Sequence, residues 1–313
     1  VTAPPLMWVA ALDLLLENMR ADGFAFDRLA AVSGSGQQHG SVWLNSQART
    51  ALRGLDPGVP LRDQLADIFA LDTSPIWMDA STTAQCRALE NALGGAQALA
   101  ELTGSRAFER FTGNQIAKIR EERPEIYDAT ERIALVSSFM ASLLLGDYAP
   151  VDTSDGSGMN LMNIRTGAWD HGALEAAAPA LARRLGDLVP GHTCLGDIHG
   201  YYRERYGFVA GCAVIAWSGD NPNSLAGLRL DRPGDVAVSL GTSDTVFGYL
   251  DRPRPSAGEG HIFANPVDPT AFMAMIVFQN GSLMREEIRD TAAGESWERF
   301  SAALRSTPPG NEG

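Results

Sequence analysis

The segment Ser218-Gly219-Asp220-Asn221-Pro222 follows a short apolar run, Val214-Ile215-Ala216-Trp217, so an acidic side chain stands where a buried strand ends. Ligands of α/β proteins bind outside the carboxyl ends of strands. A carboxylate placed there can take the proton of an attacking hydroxyl, given hydrogen-bond reach. The competing reading is structural: Asp220 or Asn221 caps a helix that Pro222 begins. Taken alone, the cap is the favoured reading.

Three further segments carry polar groups suited to a small ligand. In Gly36-Gln37-Gln38-His39-Gly40, amide and imidazole groups lie between glycines, and such groups offer a sugar's hydroxyls both donors and acceptors. In Glu109-Arg110-Phe111-Thr112-Gly113-Asn114, the forked guanidinium of Arg110 can hold a polyol or phosphate oxygen, against a surface salt bridge as the plain alternative. In Gly241-Thr242-Ser243-Asp244, a turn between two strand-like runs can aim backbone N–H groups and hydroxyls at a phosphate, or be an ordinary hairpin turn. Trp77-Met78-Asp79 and Ser154-Asp155-Gly156-Ser157-Gly158 read as polar turns that could line a pocket. Lys118 and Arg120 stand beside Glu121-Glu122 and read as a solvated helix face.

The bulk properties exclude some partners. A formal net charge of −13 argues against nucleic acid or an anionic membrane surface as a partner, because both would be repelled. No apolar run approaches the ~20 residues a bilayer span needs, and the first residues lack a basic-then-apolar signal pattern. Cys86, Cys194 and Cys212 have no metal-ligand spacing and read as core residues of a reducing cytoplasm. The histidines form no zinc-type pair, and no Gly-x-x-x-x-Gly-Lys-Ser/Thr occurs, so a P-loop is excluded.

The elements that must position these residues mix helix and strand, which gives an α/β class. Helices are predicted from Pro4-Pro5 to Gly23, from the Asp79–Thr82 cap to Gly94-Gly95, over Gln115–Glu122, Pro124–Leu145 and Asp170–Leu185, and from Pro222. Leu29–Ser33 reads as a buried strand leading into a turn at Gly34-Ser35-Gly36. Val236–Leu240 and Thr245–Leu250 read as a hairpin, Phe272–Phe278 as a third strand, and a helix continues from Gly281 through Trp297. Two domains are expected, residues 1–222 and 231–313, divided at the polar turn Asp231-Arg232-Pro233-Gly234-Asp235.

Singly these signals are weak, but their order is specific. Gln38-His39-Gly40, Trp77-Met78-Asp79, Phe111-Thr112-Gly113-Asn114 with Lys118, Ser154-Asp155-Gly-Ser-Gly, Gly219-Asp220-Asn221 and Ser239-Leu240-Gly241-Thr242-Ser243 form a series. In that order they resemble the FGGY carbohydrate kinases across nearly the whole chain. The resemblance implies two ribonuclease H-like domains, similar to actin and hexokinase, around a cleft. It implies that Asp220 acts as general base on a terminal sugar hydroxyl. Gln38, His39, Arg110 and Asn221 would bind the sugar along with Asp220. Gly241, Thr242 and Ser243 would form a phosphate loop for ATP with Mg2+, and Trp297 would lie near the nucleotide. Gln38-His39 with Arg110 points within the family to D-xylulose; another ketose or polyol such as ribulose, or a non-catalytic sugar-binding protein, stay open. A cytoplasmic location follows from the resemblance, and a homodimer is compatible with it. The family's first phosphate hairpin and its late glycine-rich adenine segment are not found, so the chain is expected to be a fragment. Asp244 departs from the pattern, since an anion there repels phosphate unless it faces metal or solvent.

Overall fold

Alternate residues of one strand bury themselves in opposite directions, and this divides the core into layers. In the computed structural model, which describes residues 1–311, strand Ser41–Asn45 pairs antiparallel with strand Thr130–Leu135, Trp43 lying opposite Ile133. Val42, Leu44 and Ala134 turn to one core, with Val9, Leu12 and Leu16 of helix Leu6–Ala21 and Phe139 and Leu143 of helix Val136–Leu145. Trp43, Ile133 and Leu135 turn to the other, with Ile116, Ile119, Leu174 and Leu181. The period of two along a strand produces this helix–sheet–helix layering.

The same double burial accounts for the largest departure from the sequence reading. A single helix over Pro124–Leu145 is predicted, but the chain forms helix Pro124–Ala129, strand Thr130–Leu135 and helix Val136–Leu145. Glu131 is exposed and Arg132 half-buried, but Ile133-Ala134-Leu135 is buried on both faces and runs without a break into the apolar helix that follows, so this stretch cannot be told from a buried helix by period. Similarly, Asp170–Leu185 is two helices, His171–Ala177 and Leu181–Leu185, because Pro179 forces Ala178 into an extended conformation.

Gly34-Ser35-Gly36 is not a turn. Strand Ser35–Gly36 pairs in parallel with strand Ser218–Gly219, and Ala31–Val32 pairs in parallel with Ala213–Ile215. The approach is close: a Cβ on Gly36 would stand 2.4 Å from the Ser137 backbone nitrogen. The helix expected from Pro222 starts two residues earlier and spans Asp220–Gly227.

The third part is a four-stranded antiparallel sheet in the order Val236–Leu240, Asp244–Leu250, Phe272–Phe278, His261–Ala264. The hairpin and third strand are as predicted; strand His261–Ala264 escaped the sequence reading. Phe247, Phe263, Met273 and Met275 bury one face of this sheet against Leu225, while Val236, Val238 and Leu240 are exposed. Ile262 N–H donates to the Gly104 carbonyl at 2.9 Å, and Ala264 N–H to Ser157 Oγ at 3.1 Å, tying this sheet to the first part of the chain. The helix expected through Trp297 is two, Gly281–Ala292 and Trp297–Ser306, with Gly294 and Glu295 at positive φ between them. Among the described residues, no helix is long and apolar enough to cross a membrane.

Gly36→Ala is expected to destabilise the protein by at least about 1–3 kcal/mol, since its methyl group meets backbone that cannot yield. Gly227→Ala, at a helix end with nothing within 4 Å, should be neutral or stabilise by up to about 1 kcal/mol. Urea denaturation of both variants measures the contrast.

Candidate functional site

The parallel pairing of Ser35–Gly36 with Ser218–Gly219 delivers two polar segments side by side. Gln37, Gln38 and His39 leave one strand while Asp220 and Asn221 leave the other, and both groups line a cleft of about 430 Å³. The Gln38 backbone N–H donates to Asp220 Oδ1 at 3.2 Å, and Asn221 Nδ2 donates to Gln38 Oε1 at 3.0 Å. Asp220 is exposed to the cleft. It makes no capping bond: the N-cap is Gly219, and no side chain caps the helix Asp220–Gly227. The structural alternative for Asp220 therefore fails, and its carboxylate is held facing open space.

His39 is buried and adopts a positive φ of 69°. Its Nδ1 lies 3.1 Å from the Gly158 carbonyl, and its ring stacks on Phe111 with centroids 4.6 Å apart. Burial, reinforced by the charge of Arg110 and by His261, holds its pKa well below the usual imidazole range. The ring is therefore neutral. A neutral ring facing a carbonyl through Nδ1 must carry its proton there, which leaves Nε2 as an acceptor. Thr112, at the start of helix Thr112–Glu122, donates its hydroxyl to the His39 carbonyl at 3.0 Å and fixes the loop.

Arg110 lines the same cleft. Burial draws its pKa down from the ordinary guanidinium value. Among the described residues it forms no ion pair, and its Nε is buried without a hydrogen-bond partner. A half-buried cation with free donors is suited to an incoming polar ligand. A neighbouring cleft of about 650 Å³ shares Arg110 and Trp77 but includes Met78, Glu109 and Glu259 and excludes Asp220.

Thr242 and Ser243 reach the opposite wall of the Asp220 cleft from the tip of the hairpin. Arg285 pins that tip, donating from Nη1 to Asp244 Oδ2 at 2.5 Å and from Nη2 to the Gly241 carbonyl at 3.1 Å. Asp244 also packs against Gly281, the first residue of helix Gly281–Ala292, where a Cβ would strike its carboxylate. The charge of Asp244 is thus answered by a guanidinium and by the positive end of a helix. Trp297 does not join this assembly. It lies half-exposed at the start of helix Trp297–Ser306 with the Arg289 guanidinium 4.7 Å over its ring, and it is not among the residues lining the cleft.

Two acidic residues lie behind the cleft: Asp152, which the sequence reading did not single out, and Asp155, which it held only as part of a polar turn that could line a pocket. Ser154-Asp155-Gly156 is not an open turn but part of the buried helix Thr153–Gly156. Ser137 Oγ donates to Asp155 Oδ2 at 2.5 Å, the Asp155 backbone N–H donates to Asp152 Oδ2 at 3.0 Å, and the Ser218 hydroxyl bonds Asp152. Burial pushes the Asp155 carboxyl up to about 8, helped by the nearby charges of Asp152 and Asp220 and opposed by the Ser137 hydroxyl. Burial likewise raises Asp152 to about 6. The spacing Asp152-Thr-Ser-Asp155 within a run of small residues was the available signal. Lys118 also differs from its reading: it is half-buried, and its Nζ donates to Ser81 Oγ at 2.7 Å.

A carboxyl whose pKa is raised on folding stabilises the protein below its unfolded value and loses that contribution as pH rises through the folded value. Asp155→Asn should therefore gain stability relative to wild type as pH rises from about 4 to about 8, by up to ~1.4 kcal/mol per pH unit. Thermal or urea unfolding across that range checks this, and parallel curves for the two proteins would contradict it.

Comparison with known proteins bears on the fold and the family. The model of the FGGY family of carbohydrate kinases, N-terminal domain, matches residues 66–227. A xylulose kinase of Mus musculus is 58% identical over all of this chain, and xylulose kinase 2 of Arabidopsis thaliana is 53% identical over all of it. The chain spans 56% of the length of each of these relatives. The crystal structure of xylulose kinase from Rhodospirillum rubrum superposes with a TM-score of 0.80 at 17% identity, covering 99% of this chain and 59% of that one, a likeness of fold. The mixed α/β architecture is that of the FGGY sugar kinases, and the chain belongs to the FGGY family of carbohydrate kinases.

Proposed function

We propose that the protein to which this chain belongs phosphorylates D-xylulose with ATP to give D-xylulose 5-phosphate, with Asp220 as general base. The observation that carries this reading is the meeting of Asp220, Asn221, Gln38, His39 and Arg110 with Thr242 and Ser243 in one cleft. Similarity to xylulose kinases along the whole chain supports the choice of sugar.

The residues divide the work by chemistry. Asp220, exposed and restrained by the Gln38 N–H, takes the proton of a terminal hydroxyl. Arg110 donates to sugar oxygens, His39 Nε2 accepts from a hydroxyl, and Asn221, tethered to Gln38, sets the sugar's orientation. Gly241, Thr242 and Ser243 offer backbone and hydroxyl donors from a tip held by Arg285, a setting that fits phosphate oxygens. When bound, ATP with Mg2+ would supply the phosphoryl group and neutralise its charge. Among the described residues no cluster of three or more His, Cys, Asp or Glu could hold a metal ion, so phosphate oxygens and single side chains would hold it. Because phosphoryl transfer asks little covalent chemistry of the protein, placement of the hydroxyl provides most of the acceleration.

We further place the sugar domain at residues 1–222 and the start of a nucleotide domain at 231–313. The match to an N-terminal domain ending at 227 and the separate sheet beginning at Val236 support this division. A nucleotide role for Trp297 would need the rest of that domain. We place the protein in the cytoplasm, where ATP is supplied; Cys86 and Cys212 are buried and unpaired as read, whereas Cys194, also read as a core residue, is exposed.

In the full-length protein, Asp220→Ala should cut sugar-dependent ADP release by about 100- to 10,000-fold while sugar binding stays measurable by calorimetry. Near-normal turnover would remove Asp220 from the chemistry. Across a panel of ketoses and polyols, D-xylulose should give the highest kcat/KM; a preference for ribulose or glycerol would reassign the substrate. Arg285→Ala, which leaves the charge of Asp244 unanswered beside the hairpin tip, should raise KM for ATP by about tenfold with KM for the sugar changed far less.

A further inference from the structure

Gly219 lies at the centre of an unresolved pairing. A Cβ built on it would stand 2.5 Å from Gln38 Cγ, 3.0 Å from Gln38 Cδ and 2.8 Å from Asp155 Oδ1, so only glycine lets these two side chains converge there. Gln38 Nε2 and Asp155 Oδ1 are each buried without another hydrogen-bond partner. The other ends of both groups are committed. Gln38 Oε1 accepts from Asn221, and Asp155 Oδ2 accepts from Ser137. The orientation of the Gln38 amide is therefore determined: its oxygen faces Asn221 and its NH₂ faces Asp155. A buried donor and a buried acceptor so placed have each other as their solution, since leaving either unmet costs about 1–3 kcal/mol.

We propose that Asp155 is a positioning residue for the reaction of the Asp220 cleft, acting through Gln38. It holds the Gln38 side chain, whose backbone N–H in turn restrains the Asp220 carboxylate and whose carbonyl restrains Asn221. It is buried behind the cleft and lines none of it. Ser137 at the start of helix Val136–Leu145 and Asp152, through the Asp155 backbone N–H, fix it in turn. Raised to about 8, the carboxyl is largely protonated at pH 7. With the proton on Oδ2 the Ser137 bond is reversed and runs from Oδ2 to Ser137 Oγ, so an amide in its place reproduces both contacts: its oxygen accepts from Gln38 and its nitrogen donates to Ser137 Oγ. The inference rests on the kinase reading of the cleft.

The test uses the full-length protein with wild type and Asp220→Ala run alongside. Asp155→Ala should lower kcat by about 10- to 100-fold, with the Kd for D-xylulose measured without ATP changed by less than about threefold. Asp155→Asn should keep kcat within about threefold of wild type. In a Gln38→Leu background, Asp155→Ala should add less than about threefold, because the link it supports is already cut. An unaffected kcat in Asp155→Ala, an Asp155→Asn as impaired as the alanine variant, or full multiplication of the losses in the double variant each overturns the proposal. Circular dichroism reports whether Asp155→Ala folds; if it does not, Gln38→Leu alone decides, with a kcat loss of about 10-fold or more expected and an unchanged kcat overturning it. Failure of Asp155→Ala to act while wild type turns over and Asp220→Ala does not removes this role and leaves the kinase reading intact. A wild type without sugar-dependent ADP release removes both.

Discussion

Two residues on each of two strands, paired in parallel, set the geometry on which the cleft depends. The pairing of Ser35–Gly36 with Ser218–Gly219 brings Gln38 within hydrogen-bond distance of Asp220 across 182 residues of sequence. Such a contact carries a large loop-closure cost and little burial of its own. It is stabilised by its surroundings: Gly36 sits against the backbone of Ser137, Gly34 against the ring of Trp217, and Gly219 against Gln38 and Asp155. Each glycine permits an approach that a single methyl group would prevent, so small size here is the structural requirement.

That pairing also separates a wet side from a dry one. On the cleft side, Asp220 is exposed and Arg110 is left with free donors. On the far side, Asp152 and Asp155 are buried and hold protons more tightly than ordinary carboxyls, while His39 in the cleft wall and His261 in the wall of the neighbouring cleft lose theirs more readily than ordinary imidazoles. Burial is the first cause of all four shifts. Asp155 and the two imidazoles are thereby mainly neutral around pH 7, whereas Asp152, raised only to about 6, keeps much of its charge there, and Asp220 and Arg110 carry the charges that line the cleft. An active site in which neutral groups position and few charged groups react is economical, because every additional buried charge would need its own partner.

Much of the site was legible in the sequence, for a particular reason. Gln38-His39, Asp220-Asn221 and Thr242-Ser243 follow strand ends, the second pair as the first residues of a helix, and Arg110 lies in the loop before helix Thr112–Glu122; chemistry at such places shows in residue type regardless of period. The hairpin and the strand Phe272–Phe278 were legible because turn residues punctuate them. The strand Thr130–Leu135 was not, since its buried half, Ile133-Ala134-Leu135, is apolar on both faces and merges with the apolar helix that follows, and neither was the break at Pro179, which lay within an otherwise helical pattern. Asp155 was seen only as part of a polar turn, because nothing local distinguishes a solvated Asp from one buried by residues distant in sequence, such as Ser137 and Gln38. Trp297, put near the nucleotide by resemblance alone, lies on the helix Trp297–Ser306, outside the cleft.

The central claim is that the cleft of Asp220 and Arg110 holds the sugar with its reacting hydroxyl toward the hairpin tip. A crystal structure of the full-length protein with D-xylulose and a non-hydrolysable ATP analogue tests it most directly. The account predicts a terminal sugar hydroxyl about 2.6–3.2 Å from the Asp220 carboxylate, with Arg110 and His39 on other sugar oxygens and Thr242 and Ser243 facing phosphate. A sugar bound instead in the neighbouring cleft, against Met78, Glu109 and Glu259 and out of reach of Asp220, would contradict it.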